Sequence, residues 1–257
     1  MRSLLLSLAV SLCPIAATAS PRVILAYESG PAYVAQNDGR YGEAGTPYEA
    51  GDVGQQDTLV VTQRASVELK SGRHALVALY APFELTTRVA LPEDLQFRDE
   101  MFAAGTVVDH RYVFDGFRLS YLYGILPRGA WQLEAGASLQ IRSALVAFTS
   151  VDGMQHAAQT DIGPVGALKL RATYQPGART WGRLEADALS TFGLVGDTSG
   201  ALYDVALSAG RSVRGGVDAY VTLRLLGGGA EVPAQAIDNW GNYLSASAGV
   251  RVELGAL

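Results

Sequence analysis

Residues 131–142 read WQLEAGASLQIR, and the side chains of this stretch alternate between apolar and polar. Trp131 and Ile141 fall on one face, whereas Glu134 and Arg142 fall on the other. Because successive side chains of a β-strand point to opposite faces, the stretch predicts a strand with one face suited to lipid and one suited to water. The same alternation recurs along most of the remaining chain, which predicts an all-β fold.

About ten such segments follow one another, each long enough for the roughly 9 to 11 residues that cross a bilayer at a tilt. This pattern is typical of an antiparallel transmembrane β-barrel, and an even number of strands returns both chain ends to one side. The alternation is weakest in the first three segments, where Gln63 and Leu76 break it, so eight or twelve strands stay as alternatives to ten. The predicted strands are 22–36, 57–70, 74–88, 108–125, 131–147, 162–174, 180–192, 201–212, 217–228 and 242–254.

The connectors between these segments alternate between short and long. Bacterial outer-membrane barrels place short turns in the periplasm and long loops outside the cell, so the pattern also predicts an orientation. The short connectors are 71–73, 126–130, 175–179 and 213–216. The long connectors are 37–56, 89–107, 148–161, 193–200 and 229–241.

The first residues have the features of a cleavable export signal. Arg2 gives a positive start, residues 4–12 are apolar, and residues 17–19 form a small-residue cleavage site. We therefore expect residues 1–19 to be a signal peptide and residues 20–257 to form the barrel domain. Export by such a signal predicts the outer membrane of a Gram-negative bacterium as the destination.

Composition excludes several classes of function. The single cysteine, Cys13, lies in the leader, so the mature chain has neither a disulfide nor a thiolate metal site. Without Arg2 there are 19 basic against 25 acidic side chains, which disfavours nucleic acid as a partner. No histidine pair has metal-ligand spacing, and no metal site or cofactor is predicted.

Several short motifs resemble a family of uncharacterised proteobacterial outer-membrane β-barrel proteins. The resemblance covers most of the mature chain and implies export to the outer membrane, but it implies no particular activity. The motifs are Asn37-Asp38 with Gly45-Thr46, Phe102 to Thr106, Tyr112 to Tyr123, Ile141 to Ala144, Asp204 to Leu207, Leu225 to Glu231, and Asn242-Tyr243.

The polar face of the predicted barrel carries nearly balanced charge, nine acids against eight bases. Neighbours on one face of a sheet lie about 5 Å apart, so these groups can pair and fill a narrow lumen as a structural plug. The alternative is a polar pathway for small solutes, that is, a narrow, porin-like passive channel. The predicted lumen-lining residues are Arg118, Glu134, Arg142, Lys169, Arg171, Arg183, Glu185, Asp187, Asp204, Asp218, Arg224 and Arg251. The remaining inward charges are Glu28, Arg64, Glu68, Glu84 and Glu253.

An enzyme is disfavoured because histidine is scarce. His74 is predicted in a turn, His156 in a loop, and His110 at the start of a strand. Ten residues of strand separate His110 from Ser120 by about 30 Å, too far for a catalytic dyad. Asp109 points to the opposite face from His110. A lipid A-modifying hydrolase or acyltransferase is therefore only a minor alternative.

The other expected partners follow from the location. We expect contact with outer-membrane lipid and lipopolysaccharide, and with the barrel-assembly machinery through a C-terminal signal at Gly249, Val252 and Leu254. Extracellular partners would bind through the predicted loops 37–56 and 89–107, which makes a surface interaction protein the main alternative to a channel.

Overall fold

A computed structural model describes residues 20–191 and 197–254, which fold into a closed antiparallel β-barrel. Two strands, β3 and β4, pair with the same neighbour and together form one wall strand that is interrupted at residues 82–83. The strands are β1 (Arg22–Tyr41), β2 (Leu59–Ser71), β3 (His74–Ala81), β4 (Glu84–Ala90), β5 (Leu95–Phe97), β6 (Glu100–Phe102), β7 (Val107–Leu126), β8 (Trp131–Ser150), β9 (His156–Tyr174), β10 (Thr180–Ser190), β11 (Ser199–Arg214), β12 (Val217–Val232) and β13 (Ile237–Leu254).

Each wall strand pairs with its neighbours in sequence, and β1 pairs with β13 to close the ring. With β3 and β4 counted as one, the wall has ten strands, so the predicted all-β, ten-stranded antiparallel barrel is confirmed and the counts of eight and twelve are wrong. The two remaining strands, β5 and β6, form a separate hairpin between β4 and β7.

One end of the barrel carries tight turns and the other carries the loops; we call them the turn end and the loop end. The turns are residues 72–73, 127–130, 175–179 and 215–216, close to the predicted positions. At the loop end most strands run further than predicted, and β1 continues from residue 36 to Tyr41, whereas β2 and β10 are each two residues shorter there.

Two of the predicted long connectors are therefore wrong. The stretch 148–161 is reduced to residues 151–155, and the stretch 229–241 to residues 233–236 with a 3-10 turn at Pro233–Gln235. The polar residues of these stretches lie in strands that extend beyond the apolar outer surface. An outward side chain there meets water rather than lipid, so a polar residue is compatible with a strand.

The predicted signal peptide, residues 1–19, lies outside the described residues and stays a prediction. Within the part of the chain that the structure describes, no helix is long and apolar enough to cross a membrane.

A belt of exposed apolar side chains surrounds the barrel from the turn end to past the middle. Every wall strand contributes to the belt, and Tyr121 and Tyr123 are exposed on β7 near the turn end. Members of the belt include Leu25, Tyr27, Val67, Leu69, Leu76, Phe117, Leu119, Trp131, Leu139, Ile141, Leu168, Leu170, Leu184, Leu207, Leu223, Leu244 and Val250.

Towards the loop end the outer face becomes polar. Arg88 pairs with Asp109 across β4 and β7, and Arg111 pairs with Glu84, each at 2.7 Å and each exposed. Glu84 was expected to face the lumen, and this prediction is wrong. The residue keeps the alternation of its strand, but it lies beyond the apolar belt, where an acid can face outward into water.

Candidate functional site

The charged residues of the inner face are collected in the middle and turn-end part of the lumen. The structure buries most of them, and almost every one has a partner of opposite charge. Buried or largely buried there are Glu28, Arg64, Glu68, Arg118, Glu134, Lys169, Arg171, Arg183, Glu185, Asp187, Asp204, Asp218, Arg224 and Arg251. We call this set the ion-pair layer.

Asp204 on β11 is the centre of the layer. Its carboxylate accepts hydrogen bonds from Arg118 at 2.9 Å, from Arg64 at 3.2 Å and from Arg224. Arg224 also donates to Glu28 at 3.0 Å. Three guanidinium groups thus converge on one carboxylate that is 2% exposed.

Asp187 on β10 lies beside this centre. Lys169 donates to it at 2.7 Å and Arg118 at 3.0 Å, and the hydroxyl of Ser138 also donates to it. The side-chain oxygen of Gln140 accepts two hydrogen bonds from Arg118. Arg118 is therefore held by three side chains, Asp187, Gln140 and Asp204.

Arg171 on β9 is the second centre, nearer the turn end. It donates to Glu185 at 2.8 Å, to Glu68 at 2.9 Å and to Glu134 at 3.2 Å. Lys70 completes the group with a bond to Glu134 at 2.7 Å. The charges are thus arranged in the opposite way to those around Asp204, because here one guanidinium group contacts three carboxylates.

Many of these pairs cross the lumen rather than joining adjacent strands. Arg64 and Asp204 lie on β2 and β11, which are four strands apart around the ring, and Arg171 and Glu68 are equally far apart. Ion pairs of this kind bridge opposite walls, and a cavity of about 100 Å³ lies among the side chains. The layer therefore narrows the lumen.

Trp181 fills the lumen on the turn-end side of the layer. Its indole N–H donates to Asp218 at 3.1 Å, and the guanidinium groups of Arg183 and Arg251 lie over its ring at 5.1 and 5.9 Å. Gly210 makes room for the ring, since a Cβ atom there would lie 2.3 Å from it. The sequence analysis did not single out Trp181, although Trp181 lies two residues before Arg183 and four before Glu185 and therefore shares their inward face.

Two predicted residues lie apart from the layer. Arg142 is closer to the loop end and pairs with Asp161. Glu253 lies at the turn end and pairs with Arg22 at 3.1 Å, where both side chains are partly exposed.

The loop end of the lumen is closed by a different kind of packing. Loops 42–58 and 91–106, with the β5–β6 hairpin, place apolar side chains over the barrel mouth; we call this the loop cap. Phe148 is fully buried at its centre, with ring centres 5.0 Å from Phe97 and 5.5 Å from Tyr48. Burial raises the pKa of Tyr48 well above its usual value, so this phenol keeps its proton at neutral pH. The core comprises Tyr41, Tyr48, Val53, Leu91, Leu95, Phe97, Phe102, Val108, Val146, Phe148 and Ile237.

The three histidines each contact an aromatic ring or a hydroxyl group. His110 is fully buried and stacks on Phe148 at 4.3 Å, with neither ring nitrogen hydrogen-bonded. His74 contacts the hydroxyl of Tyr121, and His156 that of Thr149. None of the three is paired with a carboxylate among the described residues.

Between the ion-pair layer and the loop cap lies a cavity of about 410 Å³. Gln140, which holds Arg118, contributes to its floor, and its walls are mostly apolar or aromatic. Inward-facing Leu202 and Leu226 line one side, and Phe114 and Tyr243 line another. A cavity of this size lies within the roughly 300 to 1,000 Å³ that is usual for small-molecule sites. The sequence analysis did not predict this cavity, although the alternation in β11 and β12 places Leu202 and Leu226 on the inner face.

The C-terminal residues named as an assembly signal lie in β13. Gly249 faces inward beside Tyr220, whereas Leu254 is exposed on the outer face. Val252 pairs with Leu25 of β1 and Val217 of β12. The role of these residues as a signal stays a prediction.

Neither a protein-family model nor a curated protein matches the sequence. Among solved structures, the chain is similar to the outer membrane protease OmpT from Escherichia coli, with a TM-score of 0.53 and 10% identity over 91% of this chain and 97% of OmpT. Neisserial surface protein A is less similar, with a TM-score of 0.39 and 12% identity over 90% of this chain and 97% of that chain. The same TM-score, with 8% identity over 89% and 98%, is found for Ail of Yersinia pestis. The likeness to OmpT shows the barrel fold and no more, so the family resemblance drawn from the motifs stays a prediction.

Proposed function

We propose that this protein is an outer-membrane barrel with a closed lumen, which acts as a structural or interaction protein at the cell surface and not as a channel. The observation that carries the proposal is the ion-pair layer, whose pairs cross the lumen and leave little open space. The loop cap is a second closure in series with the first, so a solute would have to displace both.

The outer face supports a membrane location. On β8 the apolar side chains run from Trp131 to Ile141, which spans about 25 Å along the barrel axis for a strand tilted by about 40°. This height matches the apolar band of bacterial outer-membrane barrels. The short turns then lie in the periplasm and the loop cap lies outside the cell.

The loop cap favours surface interaction as the working role. Loops 42–58 and 91–106 are held by a common apolar core and by backbone hydrogen bonds between them, such as Thr46 N–H to Gln96 O at 2.9 Å. A partner binding to a preorganised surface loses less conformational entropy than one binding to free loops.

Conductance of the mature chain in a planar bilayer tests the proposal, after a heat-modifiable gel shift has established that the barrel is folded. We expect no steady current from the wild-type protein. The double variant Arg118→Ser with Asp204→Ser removes two members of the layer and serves as the comparison. A stable single-channel current from the folded wild type would overturn the proposal and restore the narrow channel.

A further inference from the structure

The turn end of the barrel carries a rim of exposed arginines. Each of the four short connectors predicted from the sequence contains one arginine and no acid. Every connector also contains a glycine, which is the residue that a tight turn commonly requires, so turn geometry does not explain the arginines. The four arginines, all exposed, are Arg73, Arg128, Arg179 and Arg214. The turns therefore surround this end of the barrel with positive charge.

Two of these turns are held side by side. The N–H of Gln175 donates to the carbonyl oxygen of Ala130 at 2.7 Å, which joins the β7–β8 turn to the β9–β10 turn. The centres of these turns lie about two strand spacings, or about 10 Å, apart. Arg128 in one turn and Arg179 in the other are not paired with a carboxylate in the part of the chain that the structure describes. Their long side chains can therefore contact one anion held between the two turns.

An exposed aromatic pair lies between the same two turns. Trp131 at the start of β8 and Tyr174 at the end of β9 are opposite each other in the sheet, with ring centres 4.7 Å apart. Their side chains are on the outer face, where the residues are 59% and 41% exposed. Tryptophan and tyrosine are enriched where the hydrocarbon of a bilayer meets the headgroups. In the membrane placement proposed above, the pair therefore puts Arg128 and Arg179 at the level of the headgroups.

The outer surface on the membrane side of this pair is apolar. Leu133 follows Trp131 on the outer face of β8, and Leu170 precedes Tyr174 on that of β9, and both leucines are exposed. An acyl chain can lie against such a surface. A phospholipid with its chains against the leucines then has its phosphate beside the turns that carry the two arginines.

Charge distinguishes among the phospholipids that could lie here. The nearby acids Glu134 and Glu185 point into the lumen, where both accept hydrogen bonds from Arg171. The outer surface beside Arg128 and Arg179 is therefore basic. A zwitterionic headgroup would bring an ammonium group to two cations, whereas an anionic headgroup brings only the opposite charge. The surface therefore favours an anionic phospholipid.

We propose that the outer surface formed by Arg128, Trp131, Tyr174 and Arg179 binds an anionic phospholipid of the adjacent leaflet, with the phosphate between the two arginines. We call this surface the lipid site. In the placement given above, the leaflet is the periplasmic one. The proposal rests on the membrane placement of the barrel but not on the closed lumen.

Quenching of Trp131 fluorescence by brominated lipid tests the proposal. The full mature chain is folded into phosphatidylcholine vesicles in which a minor fraction of the lipid, either phosphatidylglycerol or phosphatidylcholine, carries bromine near the top of its acyl chains. The difference between the wild type and Trp131→Phe gives the signal of Trp131. We expect the association constant of phosphatidylglycerol to exceed that of phosphatidylcholine at least about five-fold, because one arginine near an anionic headgroup contributes a factor of about five. We call this ratio the lipid preference.

Two negative outcomes are distinguishable because folding is checked first by the heat-modifiable gel shift. A failed shift would refute the barrel and with it the membrane placement. Equal association constants of the two lipids with a folded barrel would overturn the lipid site alone, and would leave the arginines available to an acidic periplasmic protein.

Arginine variants locate the site. Arg128→Gln and Arg179→Gln should each reduce the lipid preference about five-fold, whereas Arg128→Lys, which keeps the charge, should retain most of it. The matched control is Arg214→Gln in the β11–β12 turn. This turn lies about three strand spacings, or about 14 Å, from the aromatic pair, which exceeds the Debye length of about 10 Å at 0.1 M salt, so the preference should be unchanged. The same loss in all three glutamine variants would mean uniform attraction by the rim and would overturn a defined site.

Soluble anions and salt test the chemistry of the site. Glycerol phosphate has the phosphate but no acyl chains, and it should not reduce the lipid preference. Loss of the preference on its addition would assign the arginines to a soluble phosphate and overturn the lipid. Salt at about 1 M, where the Debye length is about 3 Å, should remove most of the preference. A preference that does not change with salt would contradict recognition by the exposed arginines.

Discussion

In the half of the barrel nearer the turns, apolar side chains face outward and charges face inward; in the half nearer the loops, this arrangement is reversed. The strand β7 carries both patterns. Phe117 and Leu119 point outward around the inward Arg118, whereas further along the strand Arg111 points outward and His110 is buried. Burial alternates on both sides of residues 112–115, which are all half-buried. In the membrane placement proposed above, what changes along the strand is the environment outside the wall, from lipid to water.

The two halves also close the lumen in different ways. The ion-pair layer depends on matched charges, each of which would be destabilising without its partners. The loop cap depends on apolar packing, where loss of one side chain removes contacts but leaves no charge unpaired. We therefore expect the two halves to respond differently to substitution.

The largest effect is expected for Asp204→Asn, which leaves Arg64, Arg118 and Arg224 short of a carboxylate in a buried site. Breaking a buried ion pair by removing one partner costs about 3 to 5 kcal/mol. Urea unfolding from vesicles, followed by tryptophan fluorescence, measures the loss. The matched control is Asp109→Asn, whose exposed pair with Arg88 is worth about 0 to 1 kcal/mol. Equal losses of unfolding free energy in the two variants would contradict a larger contribution from the ion-pair layer.

A smaller and more local effect is expected for Leu95→Ala in the loop cap. Leu95 is 4% exposed within the cap core, and such a truncation costs about 2 to 5 kcal/mol. Because the cap is formed by loops over the barrel mouth, the loss should appear as local opening. Hydrogen exchange should increase in residues 91–106 and stay unchanged in β9 and β10. Uniform acceleration through the wall strands would mean that the cap and the layer form a single cooperative unit.

The outer face provides the third prediction. Leu223→Arg places a charge in the apolar belt, where it costs about 2 to 4 kcal/mol near the middle of the bilayer. Val107→Arg makes the same change on the outer face at the loop end, where the cost falls to about 0 to 1 kcal/mol. Unfolding free energies in vesicles compare the two. A similar loss of unfolding free energy at both sites would mean that lipid contacts the whole outer face of the barrel.

Sequence alternation predicts much of this fold, and physical reasons explain where it stops. Strand bounds at the turn end are close to those predicted. There the outward side chains are apolar, the inward side chains are charged, and turn-forming residues follow directly, so all three signals mark the same bounds. At the loop end, Glu84 is misplaced because the sequence assigns the two faces of its strand the wrong way round. Leu76, predicted as a break in the alternation, lies on the outward face, and Glu84 shares that face. The strand extension to Tyr41 and that of β13 to Ile237 are missed because their polar residues are also typical of loops.

The candidate site divides in the same way. The alternation of side chains alone places charged residues such as Arg118, Arg171 and Asp204 on the inner face. It cannot tell that their pairs cross the lumen, since this depends on the diameter of the closed ring and on which strands face one another. The cavity depends on how far the loop cap lies above the ion-pair layer, which no single strand encodes.

Site-directed spin labelling along the outer face of β7 tests the reversal of polarity most directly. The mature chain contains no cysteine if the leader is removed as predicted, so single-cysteine variants at Asp109, Arg111, Asp115, Phe117, Leu119 and Tyr121 carry one label each. In vesicles, we expect labels at 117, 119 and 121 to be relaxed by oxygen, which concentrates in lipid, and labels at 109, 111 and 115 by a water-soluble nickel complex. Relaxation by oxygen at all six positions, with no change along the strand, would contradict the account.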